Sequence, residues 1–164
     1  MPCETIEYRP IGVIHSPFSE AQGVPIQPRF GRGIEGTVRV FPEHVEGLKD
    51  LDGFSHITLL YHFHRSSGYA LTVRPFLDER KRGLFATRAP RRPNPIGIST
   101  VRLVGIEGAT FHIVDLDILD GTPLLDIKPY VPAFEHPEAI RIGWLTGKLT
   151  EGDRPTSDDR FVTC

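Results

Sequence analysis

The sequence predicts a mainly β protein, a single-domain β-barrel with few short helices. Its 164 residues suit one domain with a real core. Its 16 glycines and 15 prolines indicate many turns and few long helices. No strand–GxGxxG–helix unit, typical of doubly wound nucleotide folds, occurs in it. A closed or half-closed barrel is favoured because closure removes exposed strand edges.

Composition and charge exclude several classes of protein. With 39% hydrophobic and 24% charged residues, the chain is globular rather than disordered. Its net charge of −2 requires any nucleic-acid contact to use a local basic patch. Cys3 and Cys164 predict neither a disulfide framework nor a cysteine zinc site. The first residues lack signal-peptide features and the apolar runs are too short to span a membrane, so we expect a cytoplasmic protein.

The first third of the chain predicts two strands, a long loop and one helix. Residues 8–15 form the first strand, and residues 36–40 the second. The Pro/Gly-rich loop between them, residues 21–33, has a length typical of binding loops or lids. Apolar residues at helical spacing after Pro42 predict one short helix that ends near Asp50.

Residues 54–63 are the best candidate for a central strand, and three histidines lie on one of its faces. His56, His62 and His64 share a parity, so a regular strand would project them together. Three histidines can hold a metal ion. Neither cysteine nor an HExxH motif accompanies them, and histidine occurs at four other positions. The sequence therefore favours no metal, and a metal hydrolase stays an alternative.

Residues 83–99 are predicted to form a stiff, cationic loop. Its three prolines fix φ and push the preceding residues out of the helical region. Arg88, Arg91 and Arg92 supply permanently charged groups that suit carboxylates and phosphates. Such a loop can hold an anionic or zwitterionic ligand with little loss of entropy on binding. A solvated turn without a ligand is the alternative.

Downstream, the sequence predicts a hairpin that continues into an acidic strand. Residues 100–106 and 110–116 pair across a tight turn at 107–109. Beyond Val114, apolar and acidic residues alternate, so that Asp115 and Asp117 would lie on one face of a strand. The change from apolar to acidic side chains predicts that this strand leaves the core and enters a cleft. Residues 124–132 form a further extended segment, and residues 139–145 a strand or a helical turn. Residues 151–160 are charged and expected to be mobile.

Two clusters of chemistry result, one cationic and one acidic. The cationic cluster is the loop at 83–99. The acidic cluster comprises Asp115, Asp117, Asp120 and Asp126. A pocket with both would suit a ligand of both charges, such as an amino acid or a sulfonium-bearing cofactor.

Four blocks of sequence resemble the signature of a known family. Residues 11–17, 51–56, 83–99 and 116–130 are similar, in order, to the TsaA-like or TrmO family of β-barrel tRNA methyltransferases. The resemblance implies a non-Rossmann barrel, S-adenosyl-L-methionine as cofactor, and a homodimer. It further implies methylation of N6 of threonylcarbamoyladenosine, next to the anticodon of tRNA. We expect the barrel domain at residues 8–132 and a short C-terminal extension at 133–164.

The resemblance also implies site residues. The cofactor site would draw on Gln27, Pro28, Arg29, His64, Arg65, Arg88, Ala89, Ser99, Asp115, Leu116, Asp117 and Ile118. The acceptor nitrogen must lose a proton, and the candidate bases are Asp117, Asp126 and Tyr130. Candidate phosphate contacts to tRNA are Arg80, Lys81, Arg82, Arg91 and Arg92.

One departure from the family concerns the end of the chain. Bacterial members carry a further C-terminal domain, whereas about thirty residues follow residue 132 here. The choice of tRNA is therefore open. A barrel that binds RNA or S-adenosylmethionine without catalysis is the main alternative to an enzyme.

Overall fold

The computed structural model describes residues 4–149 and 152–161, and within them a six-stranded closed barrel. The strands are β1 (Gly12–His15), β2 (Glu35–Val40), β3 (His56–His62), β4 (Thr72–Val73), β5 (Arg82–Gly83), β6 (Ile96–Glu107), β7 (Thr110–Val114) and β8 (Thr122–Pro129). Around the barrel the order is β1-β2-β7-β6-β3-β8, and each neighbouring pair is antiparallel. β4 and β5 pair separately. The predicted β-barrel is confirmed.

Alternating side chains fill the barrel, as the sequence pattern predicts. Ile57, Leu59 and Tyr61 point inward from β3, which pairs with β6 on one side and β8 on the other. Phe111 and Ile113 point inward from β7, which lies on the far side of β6 from β3. Each fully buried side chain of this size contributes about 1.5–3 kcal/mol relative to an exposed one. This barrel core holds the strand ends that surround the candidate site.

The helices are few and short. The described residues contain one α-helix, α1 (Pro132–Glu135), and 3₁₀ helices at Pro28–Phe30, Pro42–Leu48, Leu51–Gly53, Leu84–Ala86 and Gly143–Leu145. The helix predicted after Pro42 is present as a 3₁₀ helix, and its Leu48 packs against the core. Residues 139–145 contain a helical turn rather than a strand. Within the described ranges no helix has the length and apolar character needed to cross a bilayer.

The predicted acidic strand is wrong. β7 ends at Val114, because Asp115 has a left-handed φ of 71° that turns the chain away from the ladder. The Asp115 carboxylate accepts a hydrogen bond from the Gly33 amide at 2.8 Å, which holds this turn. Asp115 and Asp117 therefore lie in a loop and have different surroundings.

Residues 152–160 of the C-terminal extension pack against the long loop between β1 and β2, and the expectation that they are mobile stays a prediction. Thr156 forms a β-bridge with Pro25 of the long loop. The Ser157 amide donates to the Val24 carbonyl at 2.7 Å, and the Gly23 amide donates to the Ser157 carbonyl at 2.8 Å. The charged composition of the segment conceals these backbone bonds. The domain boundary at residue 132 stays a prediction, and Cys3 and Cys164 lie outside the described residues.

Candidate functional site

A cavity of about 310 Å³ opens at the end of the barrel where β3 ends and where β6 and β8 begin. We call it the first cavity. Its walls come from the loops at 21–27, 63–66, 87–92 and 117–119, and from residues 157–161 of the C-terminal segment. Segments far apart in sequence thus meet around one space.

The structure places half of the predicted cofactor residues in this cavity. The first cavity is lined by Gln27, His64, Arg65, Arg88, Asp117 and Ile118. The remaining six do not line it, although Ser99 lies directly behind its wall: Pro28, Arg29, Ala89, Ser99, Asp115 and Leu116. Arg29 and Ala89 line a second cavity of about 600 Å³ beside the first. Leu116 belongs to the core, and Asp115 makes an ion pair with Arg102 at 3.4 Å.

A hydrogen-bond network lies in the wall of the first cavity, formed by Tyr61, Ser99 and Asp117. The Ser99 hydroxyl donates to Asp117 Oδ1 at 2.6 Å, and the Tyr61 hydroxyl lies 3.0 Å from Ser99 Oγ. Since the only hydroxyl proton of Ser99 is used on Asp117, Tyr61 donates to Ser99. The elements that hold the network are β3, β6 and the loop after β7.

Burial controls the protonation of this network. Loss of hydration raises the pKa of Asp117 from 3.8 to about 7, against the opposing effects of the Ser99 hydrogen bond and the Arg88 charge. Burial, and then the Asp117 charge, raises the pKa of the Tyr61 phenol well above its usual range. Asp117 can therefore exchange a proton near neutral pH, whereas Tyr61 stays protonated. Such a carboxylate is suited to proton transfer.

The arginine-rich loop at 87–92, which forms one wall of the first cavity, is held in place by hydrogen bonds from Arg92 to the loop's own carbonyl groups. Arg92 Nη1 donates to the carbonyls of Thr87 and Ala89 at 3.0 and 3.2 Å. Arg88 Nη1 donates to Gln27 Oε1 at 2.7 Å. The stiffness predicted from the prolines is thus reinforced by Arg92, while Arg88 faces the cavity.

The three predicted histidines do not form one cluster, because His56 lies far from His64. His56 bonds Ser55 at 2.9 Å, at the opposite end of the strand from His64. His64 lies 3.3 Å from the Thr122 hydroxyl, and burial, then the nearby Arg65 charge, lowers its pKa. No group of three metal-ligating side chains occurs in residues 4–149 and 152–161.

Two predicted bases lie outside both cavities. Asp126 pairs with Lys128 at 2.9 Å, and the Tyr130 hydroxyl bonds His136 Nε2 at 2.8 Å. Of the three candidates, Asp117 is the one in a cavity wall.

The five predicted RNA contacts differ in how far they are engaged by other groups of the protein. Arg80 and Lys81 are exposed. Arg82 donates from Nε to the buried Asp78 at 2.8 Å, and Arg91 donates to the Ser67 carbonyl at 3.1 Å. Arg92 braces its own loop and also lines the first cavity.

Several lining residues were not predicted as site residues: Tyr61, Phe63, Phe76, Thr122, Ser157, Asp158 and Phe161. Tyr61 carried one usable signal, because a tyrosine in an aliphatic strand needs a partner for its hydroxyl. Residues 157–161 carried no such signal, because their sequence does not show which surface of the protein they cover.

The comparisons with known proteins agree with this architecture. Residues 13–136 match the family model of the tRNA-methyltransferase O N-terminal domain. The chain is 60% identical over 156 residues to a probable S-adenosyl-L-methionine-binding protein of Pyrococcus abyssi, and the match covers 95% of this chain and 85% of that protein. It is 34% identical over 140 residues to the human tRNA (adenine(37)-N6)-methyltransferase, with 80% of this chain and 31% of the human protein covered.

A solved structure has the same barrel. The crystal structure of TrmO from Pseudomonas aeruginosa superposes with a TM-score of 0.72 at 40% identity, and the match covers 86% of this chain. It covers 63% of the crystallised chain, so this protein spans less than two thirds of that one.

Proposed function

The chain belongs to the tRNA-methyltransferase O N-terminal domain family, and we propose that it methylates N6 of threonylcarbamoyladenosine, next to the anticodon of tRNA, with S-adenosyl-L-methionine as cofactor. The family resemblance seen in the sequence is confirmed. The observation that carries the proposal is the half-buried Asp117 carboxylate, held by Ser99 in the wall of a cavity that the arginine loop also lines. The name of the human relative supports the adenine at position 37 as the target.

The first cavity fits the cofactor in size and chemistry. Its volume of about 310 Å³ lies at the lower end of the range for small-molecule sites. Val24, Ile26 and Phe63 offer apolar surface for an adenosine group. The Asp117 carboxylate provides the anionic partner that a sulfonium or ammonium requires, and Arg88 suits a carboxylate. When bound, S-adenosylmethionine would supply the electrophilic methyl group that the acceptor nitrogen receives.

Asp117 is the proposed proton acceptor for the ureido-like N6–H. Its carboxylate is half ionised near pH 7, so it can take up the proton that N6 must release. Ser99 holds the carboxylate in one orientation through a 2.6 Å bond, and Tyr61 orients Ser99. Arg88 favours the ionised form of Asp117. The separation of Asp126 and Tyr130 from both cavities argues against either as the base.

The proposal extends to partners and compartment. Arg80, Lys81 and Arg91 are the proposed phosphate contacts to tRNA. Ile96 and Ile98 of β6, which also line the first cavity, are 40% and 48% exposed, and this apolar surface supports a homodimer. We propose a cytoplasmic location, where the enzyme meets tRNA.

Transfer of a labelled methyl group from the cofactor to unmethylated tRNA, followed by nucleoside analysis, tests the proposal. We expect label in N6-methyl-threonylcarbamoyladenosine with the wild-type protein and a large loss with Asp117→Asn. Asp126→Asn is the matched control and retains activity. Cofactor binding without any transfer would indicate a non-catalytic barrel. Transfer to an adenosine without the threonylcarbamoyl group would refute the substrate.

A further inference from the structure

The second cavity is lined by an unusual concentration of aromatic rings. Its volume is about 600 Å³, and it lies between the loop at 84–89 and the C-terminal extension. The rings are Phe30, Phe76, Phe85, Trp144 and Phe161. Every nucleobase has faces that stack on such rings, so the lining matches a base of single-stranded RNA.

Two residue pairs separate the cavities, and we call them the partition. Arg88 donates to Gln27 at 2.7 Å, and Phe76 packs edge-to-face on Phe161 with ring centroids 5.0 Å apart. All four residues line both cavities. A ligand in the second cavity is therefore one side-chain layer away from the first.

Cations hold the aromatic walls in place. The Arg82 guanidinium lies 5.4 Å from the Trp144 ring centre, and the Arg92 guanidinium lies 5.7 Å from that of Phe85. Trp144 Nε1 also donates to the Ala86 carbonyl at 2.8 Å. The rings are thus positioned before any ligand binds, which lowers the entropic cost of stacking.

We propose that the second cavity binds the acceptor adenine with its threonylcarbamoyl group, while the first cavity holds the cofactor. This inference rests on the proposed function and assigns its substrate subsite. The base stacks on the aromatic rings with its N6 edge toward the partition. The exposed Arg29 was expected in the cofactor site, but it lines the second cavity, so we assign it to the carboxylate of the threonyl group.

The partition then becomes the place of methyl transfer. Arg88 lies close enough to Asp117 to influence its ionisation, so the proposed base is near this boundary. Displacement of the Arg88–Gln27 hydrogen bond opens a path between the two ligands. Each ligand binds in its own space, so the two bind without competition.

Trp144 is the single tryptophan of the chain, and its fluorescence reports on the second cavity directly. The full chain is saturated with S-adenosylhomocysteine and titrated with N6-threonylcarbamoyladenosine, with excitation where nucleosides do not absorb. We expect a saturable change in Trp144 emission, with a dissociation constant that the cofactor product leaves unchanged within about twofold. The proposal is overturned if the nucleoside causes no change, or if S-adenosylhomocysteine and the nucleoside compete.

Paired phenylalanine variants separate the two sites by kinetics. Phe85 is 75% exposed, so Phe85→Ala should fold, and we expect KM for tRNA to rise roughly tenfold with cofactor affinity unchanged. Phe134 is 82% exposed and lines neither cavity, so Phe134→Ala is the control and should change nothing. An effect of Phe85→Ala on cofactor affinity alone would overturn the assignment.

The same experiments distinguish failure of this inference from failure of the proposed function. Methyl transfer without any nucleoside-dependent change in Trp144 emission refutes the second cavity as the acceptor site and leaves the function standing. Saturable quenching by the nucleoside without methyl transfer refutes the function and supports the second cavity.

Discussion

Replacement of Asp117 by asparagine should make the protein more stable and less active at neutral pH. The unfolded carboxyl loses its proton near pH 3.8, whereas the folded one keeps it until about pH 7. Between these values the folded state binds the additional proton, so the stability it contributes is complete below pH 3.8 and is lost as the pH rises to 7. A difference of about three pKa units, at about 1.4 kcal/mol each, corresponds to about 4 kcal/mol.

Asparagine is neutral at every pH, so the variant avoids this loss. Since it also exchanges a charged acceptor for a weaker one at Ser99, about 4 kcal/mol is an upper bound on the gain. For a domain of this size the midpoint of thermal unfolding would rise by roughly 16 °C at most. The loss of a general base lowers kcat by about 100-fold or more.

The midpoint of thermal unfolding, measured from about pH 5 to pH 8, reports this effect. An unfolded Asp carboxyl is already ionised over this range, so any change with pH comes from the folded state. The wild-type midpoint should fall over this range relative to that of Asp117→Asn. Asp120→Asn, in the same loop, is the control, because hydrogen bonds from the Ser16 amide and His15 lower the pKa of Asp120. Asp120→Asn should not be stabilising. Parallel pH profiles for wild type and Asp117→Asn would refute the reasoning.

Three further predictions concern the first cavity. Gly97→Ala should lower the free energy of unfolding by about 1–3 kcal/mol, because the added Cβ would lie 2.5 Å from Cζ of Tyr61. Gly105→Ala on the same strand is the control, since its added Cβ meets no atom within 4 Å. Denaturant unfolding of both variants measures the difference. Ser99→Ala removes a donor that lowers the pKa of Asp117, so the acidic limb of the kcat profile should move to higher pH; an unmoved limb contradicts the role of Ser99. Arg88→Ala should weaken cofactor binding by about tenfold or more in calorimetric titration, and unchanged affinity would place the cofactor carboxylate elsewhere.

The barrel was predictable from sequence because its strands are short, alternating and separated by turn residues. Residues 36–40 and 54–63 lie within two residues of β2 and β3 at each end. The arginine–proline loop was predictable for a related reason, since proline restricts the backbone wherever it occurs. The pattern of neighbouring residues was sufficient to predict both the strands and the stiff loop.

The hydrogen-bond network of Tyr61, Ser99 and Asp117 was not predictable, because it depends on strand register. Tyr61 is paired with Gly97 across β3 and β6, and the missing side chain there gives its ring the space to reach Ser99. Sequence parity shows which residues face inward but not which ones meet. The position of Asp117 depends on the left-handed turn at Asp115, a conformation that aspartate adopts more often than most residues but that residue type alone does not predict.

The docking of the C-terminal extension was concealed by its charges. Lys148 bonds the buried Asp78 at 3.0 Å, and Arg82 bonds the same carboxylate. Both hydrogen bonds, Arg82 first, hold the pKa of Asp78 well below its usual range. A count of charged residues indicates solvent exposure and misses such a pairing across 70 positions.

The way the barrel closes has a consequence for how activity develops during refolding. β1 pairs with β8, so Ile14 lies opposite Thr122, and Pro25 bridges Thr156. Contacts this distant in sequence form slowly, since long loops must close before any bond is gained. Both cavities include Phe161 and residues before 30 in their walls. Ligand binding should therefore return after strand formation in a refolding time course, as one of the last events in the maturation of the protein.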